Sequence, residues 1–253
     1  MKLKLILFGL IILILKSCAG LEQLSHNLET DATLPDVDAV VQDEIIKQNI
    51  PGAAVAVVQN GRIVHINGYG HTSLDRTEEV DIDHVFRWAS ISKPLTAVAL
   101  LQLDEQYDDF SIDDKVSDYV SYWPDSGQKG DITIKQLLSH RAGITHYTTK
   151  RNCPDNNSPS HNTGAHGAGP FSVEDAVEIF EDEDLCFEPG SSYKYSTYGY
   201  TLAAAVFEEV SGESYADWVM DNIAQPTFMM SLQQATGTSE GYNISGGRLV
   251  DRS

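Results

Sequence analysis

The chain has 253 residues, an apolar fraction of 42% and a formal net charge of −20 at pH 7. That length suits one large folded domain or two small ones, and the apolar fraction is ordinary for a globular protein. So acidic a chain excludes nucleic acid as a partner, because phosphates demand a basic face. The acids, among them Asp104-Glu105, Asp108-Asp109, Asp113-Asp114 and Glu181-Asp-Glu-Asp184, read as a solvated surface.

The N-terminus runs Met1-Lys2-Leu3-Lys4, then an apolar stretch Leu5–Leu15, then Lys16-Ser17-Cys18-Ala19-Gly20. Basic residues, a short apolar core and small residues form a secretory signal. The run is too short for a comfortable transmembrane helix. Cys18 resembles the lipidated cysteine of a bacterial lipoprotein, although Lys16 departs from that pattern. A plain cleaved signal and an uncleaved anchor are the alternatives. The expected organisation is a signal over 1–18, a polar tether over 19–35 and a folded domain over 36–253. The expected location is the cell envelope, with membrane attachment through the N-terminus.

Val37, Val40, Val41 and Ile45 predict an amphipathic helix ended by Pro51-Gly52. Ala53–Val58 and Arg62–Asn67 predict two strands joined by Asn60-Gly61, a strong hairpin turn, with Gly68-Tyr-Gly70 closing the second.

The segment Trp88-Ala-Ser90-Ile-Ser-Lys93-Pro94 leads into Leu95–Leu103. Residues three apart share a helix face, so the Lys93 amine can lie against the Ser90 hydroxyl. A serine needs a base to take its proton, and a desolvated lysine can be that base. This points to acyl transfer through a serine ester. The apolar residues after Lys93 lie on every side, which predicts a helix buried all round. Pro94 suits a first turn. The bland alternative is a capping serine beside a solvated lysine. Ser191-Ser-Tyr-Lys194 has the same spacing, but it follows the turn signal Pro189-Gly190.

Ser111-Ile-Asp-Asp114 and Ser172-Val-Glu-Asp175 look like helix caps, and Val173, Ala176, Val177 and Phe180 form one apolar stripe. Thr133-Ile-Lys-Gln136 is a capping box opening a helix with Leu137 and Leu138. His140 then falls at the helix end, where a histidine meets free carbonyls, and reads as structural rather than as a base. With Cys18 set aside, Cys153 and Cys186 remain, an even pair that in an oxidising compartment suggests a disulfide. A zinc site adding His161 and His166 fits no standard ligand spacing, so no metal or other cofactor is expected. The stretch from Cys153 to Gly169 reads as a long loop able to rim a cleft. Tyr198–Val210 predicts a helix ended by Gly212, and Ser214 caps another running through Ile223.

The order Ser90-x-x-Lys93, His140-Arg-Ala-Gly143, and Pro189-Gly-x-x-x-x-Tyr195-Ser-Thr197-x-Gly-Tyr200 resembles the serine beta-lactamase-like family. That family holds class C beta-lactamases, D-alanyl-D-alanine carboxypeptidases and related esterases. The Tyr-Ser-Thr run resembles in particular the branch of the mitochondrial serine beta-lactamase-like protein. The resemblance implies an α/β (α+β) fold of beta-lactamase/transpeptidase type: an antiparallel sheet flanked by helices, plus a helical subdomain. It implies Ser90 as nucleophile, Lys93 as proton-handling lysine and Tyr195 as the tyrosine exchanging protons with the nucleophile and the leaving group. A phenol titrates near 10 and needs a neighbouring cation to serve near neutrality, which Lys93 would supply. Thr197 stands where the family has a substrate-binding asparagine; threonine there keeps one hydroxyl but loses the amide donor and its reach. The family's later Lys/His-Thr/Ser-Gly motif has no match, since Ala235-Thr236-Gly237 lacks the cation; the chain is expected to be incomplete, without the last sheet strands.

The leading expectation is an envelope serine acyl hydrolase acting on small peptide, beta-lactam or ester substrates. The alternative is a catalytically impaired binding or assembly module of the same fold. A third is a metal-binding envelope protein using the Cys153–His166 loop.

Overall fold

The computed structural model describes residues 36–86, 88–146, 153, 172–229, 232, 242–245 and 248–251. The signal, the tether and Cys18, the loop histidines His161 and His166, and Ala235–Gly237 lie outside the described residues. The chain divides into two units, Met1–Phe86 with Gly237–Ser253, and Arg87–Thr236.

In the first unit, α1 spans Val37–Gln48. Asp36 caps it by accepting from the Ala39 N–H at 3.1 Å. Its end is set one step earlier than Pro51-Gly52 suggests: Asn49 takes the left-handed conformation (φ 52°) and donates its N–H to the Ile45 and Ile46 carbonyls. Antiparallel strands β1 (Gly52–Gln59) and β2 (Arg62–Gly70) follow. Asn60 and Gly61 both have positive φ, 53° and 75°, the geometry a right-twisted two-residue hairpin requires. The second strand runs through Gly68–Gly70 rather than stopping before it. Buried Tyr69 donates to Asp38 at 2.8 Å, tying the hairpin to α1. A second antiparallel hairpin pairs β3 (Tyr242–Ser245) with β4 (Arg248–Asp251), strands that no sequence pattern above predicts.

The second unit is mainly helical. A 3-10 turn, Ala89–Ser92, runs into α2 (Lys93–Gln106), with Pro94 in its first turn. Then come α3 (Gly127–Gly130), α4 (Ile134–Leu138), α5 (Val173–Glu178), α6 (Thr197–Ser211) and α7 (Tyr215–Val219), the last continuing as a π-helical turn over Met220–Ala224. The reciprocal capping boxes Thr133/Gln136 and Ser172/Asp175 are both formed. Ser111-Ile-Asp-Asp114 instead makes a turn: the Asp114 carboxylate accepts from Ser111 N–H at 2.8 Å, and Val116 N–H then bonds the Ile132 carbonyl at 2.9 Å.

Helix α6 is the core element. It buries Leu202, Ala203, Ala205, Val206 and Phe207 and packs against α2, α4 and α5. Leu100, Leu103, Ile132, Ile134 and Leu137 complete a cluster at 0–1% exposure. Each such aliphatic side chain contributes about 1.5–3 kcal/mol on burial. Helix α2 corrects the expectation of all-round burial. It buries Thr96, Ala99, Leu100 and Leu103, the i, i+3, i+4, i+7 face, while Val98 and Leu101 are 41% and 44% exposed.

A set of backbone bonds carries the segment after α4 to the segment before α6. Gly143 accepts from Cys186 at 2.7 Å, Arg141 from Gly190 at 2.8 Å, and His140 from Lys194 at 2.9 Å. Gly143 is required there: its φ is 82°, and a Cβ would sit 2.3 Å from the Phe187 carbonyl oxygen. The Cys153 and Cys186 sulfurs are bonded, with their Cα atoms 4.9 Å apart.

Candidate active site

Ser90 lies in the exposed 3-10 turn that feeds α2. The residue before it, Ala89, has φ 46°, a left-handed conformation that a side chain disfavours. Such local strain persists only where the surroundings impose it, and it is commonest at functional sites. Neither serine of this turn caps α2: Ser92, the residue before Lys93, makes no side-chain capping bond. The Ser90 hydroxyl is engaged elsewhere. Lys93 Nζ donates to Ser90 Oγ at 3.2 Å, and Tyr195 OH donates to the same oxygen at 2.6 Å. Lys93 Nζ also lies 4.8 Å from the centre of the Tyr195 ring and 5.7 Å from that of Tyr200.

Opposing influences act on the Tyr195 phenol. Burial pushes its pKa up; the Lys93 hydrogen bond, the Ser90 hydrogen bond, the Lys93 charge and the Thr197 hydroxyl together push it further down, so that it settles below the ordinary tyrosine value. Tyr200, behind it, shifts the opposite way through burial and the neighbouring phenols, and its hydroxyl donates to the Leu138 carbonyl at 2.8 Å. The two tyrosines thus shift in opposite directions: Tyr195 ionises more readily than an ordinary tyrosine and Tyr200 less readily.

Tyr195 is positioned by the start of α6. Ser196 caps that helix, accepting from Gly199 N–H at 3.0 Å and donating its hydroxyl to the Thr145 carbonyl at 2.7 Å. His140 Nδ1 accepts the Ser196 N–H at 3.2 Å, and His146 Nδ1 accepts the Thr197 N–H at 3.2 Å. Both rings also pack on Tyr195, with centroids 4.5 Å away for His140 and 5.4 Å for His146. His140 therefore bonds a backbone N–H of another element, not the free carbonyls at the end of its own helix. Its backbone φ of 58° ends that helix. His146 was not singled out by sequence, although it follows Gly143 by only three residues.

Ser90, Lys93, Tyr195 and Thr197 are thus brought together within the second unit. The competing pair is kept apart from that chemistry: Ser191 Oγ donates to the Glu188 carbonyl at 2.6 Å, and Lys194 Nζ lies 4.0 Å from the Cys153 sulfur. Among the described residues no three His, Cys, Asp or Glu side chains are placed to hold a metal ion, and no helix is long and apolar enough to cross a membrane.

Comparison with known proteins agrees with this architecture. The chain is 26% identical to protein flp of Staphylococcus aureus (strain MW2) over 86% of its own length and 43% of that protein's. It is 27% identical to the human mitochondrial serine beta-lactamase-like protein LACTB over 80% of its length and 46% of that protein's. The chain therefore spans less than half the length of these curated relatives. Among solved structures, a D-stereospecific amidohydrolase from Streptomyces superposes with a TM-score of 0.65 at 26% identity, covering 86% of this chain and 64% of that one. The family described as Beta-lactamase matches residues 37–235, and with that the chain belongs to the beta-lactamase family.

Proposed function

We propose that the protein is a serine acyl hydrolase working through an ester on Ser90. The observation that carries this reading is the convergence of Tyr195 OH and Lys93 Nζ on Ser90 Oγ, at 2.6 and 3.2 Å. Tyr195, its ionised form favoured by the Lys93 charge, takes the Ser90 proton as Oγ attacks the substrate carbonyl. The phenol then returns that proton to the leaving group as the carbonyl–leaving-group bond breaks. Water attacks the acyl-serine, Tyr195 again takes a proton, and collapse of the intermediate returns it to Ser90. Lys93 holds the phenolate and the serine oxygen in register throughout. The Ser-x-x-Lys spacing by itself nominates Lys93 as a base, and the family resemblance nominates Tyr195 with Lys93 as its cation; the 2.6 Å bond from Tyr195 to Ser90 supports the second assignment.

Thr197 stands beside Tyr195 and contributes its hydroxyl to lowering the phenol. This supports acyl-enzyme chemistry and leaves substrate contact at that position to one hydroxyl. Small peptides, beta-lactams and short esters all present the required carbonyl. The amidohydrolase and serine beta-lactamase-like relatives lie in that range. The signal-like Met1–Gly20 segment, with Cys18 as the acceptor for lipid, supports an envelope location.

A panel of p-nitrophenyl esters, a chromogenic beta-lactam and a peptide ending in D-alanyl-D-alanine tests the reading against Ser90→Ala. Turnover of at least one class, abolished in the variant, is expected. Equal turnover in Ser90→Ala would refute it, and a biological effect surviving that substitution would favour a binding module.

A further inference from the structure

The two histidines beside Tyr195 do more than fill space. Each offers Nδ1 as an acceptor, and they take consecutive backbone N–H groups, Ser196 and Thr197, directly after the phenol-bearing residue. A ring nitrogen that accepts must be unprotonated, so both imidazoles are neutral with the proton on Nε2. Resting on the hydrolase reading, we propose that His140 and His146 are positioning residues that act through Tyr195: as neutral acceptors they hold its oxygen on Ser90, and protonating them releases it.

The surroundings support this. The groups facing His140 are Lys93 from α2, Tyr193 and Tyr195 from the segment before α6, Tyr200 from α6 itself, and His146. Those facing His146 include Lys93, Lys194 and Tyr195. Lys93, which acts on both rings, and Lys194 are cationic. Burial first, and then Lys93, hold both histidines below the ordinary histidine range, His146 adding to this for His140 and Lys194 for His146. Both are therefore acceptors at neutral pH. In acid the imidazolium presents an N–H to an N–H and adds a second positive charge beside Lys93. The helix start then loses two of its ties, and the phenol loses its fixed place. The Ser196 hydroxyl bond to Thr145 remains, so the fold persists while the geometry loosens.

Asparagine discriminates this role from a structural one. Its side-chain oxygen can replace Nδ1 as acceptor, it does not titrate, and it tolerates the left-handed backbone of position 140. The rate at which a fluorophosphonate labels Ser90 is followed from pH 5 to 8 in the wild type, the double variant His140→Asn/His146→Asn, and His146→Leu. The wild-type rate is expected to fall more steeply below about pH 6.5 than the Tyr195 phenol alone dictates. The asparagine pair is expected to stay within about threefold of wild type at pH 8 and to lose that added steepness, keeping only the slope set by the phenol. His146→Leu is expected to label about tenfold more slowly at pH 8. An acid limb unchanged in the asparagine pair, or a leucine variant labelled at the wild-type rate, would overturn the proposal. If the leucine variant does not fold, the asparagine pair alone decides. Labelling of Ser90→Ala equal to wild type would refute the hydrolase reading instead. Independently of labelling, 15N NMR of the imidazoles is expected to report the Nε2–H tautomer for both at pH 7.5; an Nδ1–H form of either would contradict the inference.

Discussion

Replacing Tyr195 by phenylalanine removes one oxygen and leaves the ring. In the structure that oxygen makes the 2.6 Å bond to Ser90, and Lys93 and Thr197 act on it to favour its ionised form. The ring keeps its packing against His140 and His146 and its place under Lys93. The loss of folding stability is therefore small, about 1 kcal/mol, the usual worth of a hydrogen bond at a partly accessible site. The effect on chemistry is far larger. A positioned acid–base group typically contributes about 100–10,000-fold, or about 2.7–5.4 kcal/mol of barrier. Lys93 remains 3.2 Å from Ser90 and retains part of the activation, so about 100–1000-fold is expected. The assay is the pre-steady-state burst of p-nitrophenol from an activated ester, measured against pH. In the wild type the acylation rate is expected to rise with pH through a midpoint below the ordinary tyrosine value of about 10, because the phenolate is the active form and its formation is favoured. In Tyr195→Phe the rate is expected to fall by that factor and the limb to disappear. A variant that acylates within about threefold of wild type, with the limb intact, would refute the assignment of the proton to Tyr195.

Lys93→Met removes the cation that lowers Tyr195, so burial then dominates and the phenol titration moves upward; acylation near neutrality is expected to fall about 100–10,000-fold, read by the same burst and by phenolate absorbance. Gly143→Ala places a methyl 2.3 Å from the Phe187 oxygen at φ 82° and is expected to cost about 2–4 kcal/mol or prevent folding, measured by urea titration. Replacing both Cys153 and Cys186 by serine opens a bridge of sequence separation 33 and is expected to cost about 3–4 kcal/mol, read as a lowered melting temperature that reductant no longer changes. For His140 and His146 the folded titration lies below the unfolded one, so the unfolded state binds more protons in acid. Their contribution to stability is complete above about 6.5 and is lost as pH falls through that value towards the depressed folded ones. Melting temperatures at pH 7.5 and 5.5 are expected to differ more in the wild type than in the double asparagine variant.

What was legible in the sequence follows from range. Helix caps, the Asn60-Gly61 turn and the Ser90/Lys93 spacing are local geometry, set by a few residues and readable from them. Tyr195 stands 105 residues from Ser90, and no periodicity brings the two together; only the resemblance across several motifs did. His146 escaped notice because its signal is tertiary: a histidine in a short loop looks like any other until the start of α6 is docked on it. The exposed Val98 and Leu101 on α2 defeated a reading from hydrophobicity alone, since apolar composition does not say which face finds a partner. Ser111–Asp114 carried a capping pattern without a helix because its acid closes a turn on Ser111 instead.

The central claim is that Ser90 is the acyl acceptor. Mass-spectrometric mapping of the protein after reaction with a fluorophosphonate tests it most directly. The expected result is a single adduct on the peptide carrying Ser90, lost in Ser90→Ala and strongly slowed in Tyr195→Phe. An adduct on another serine, Ser191 included, with Ser90 unmodified, would contradict it.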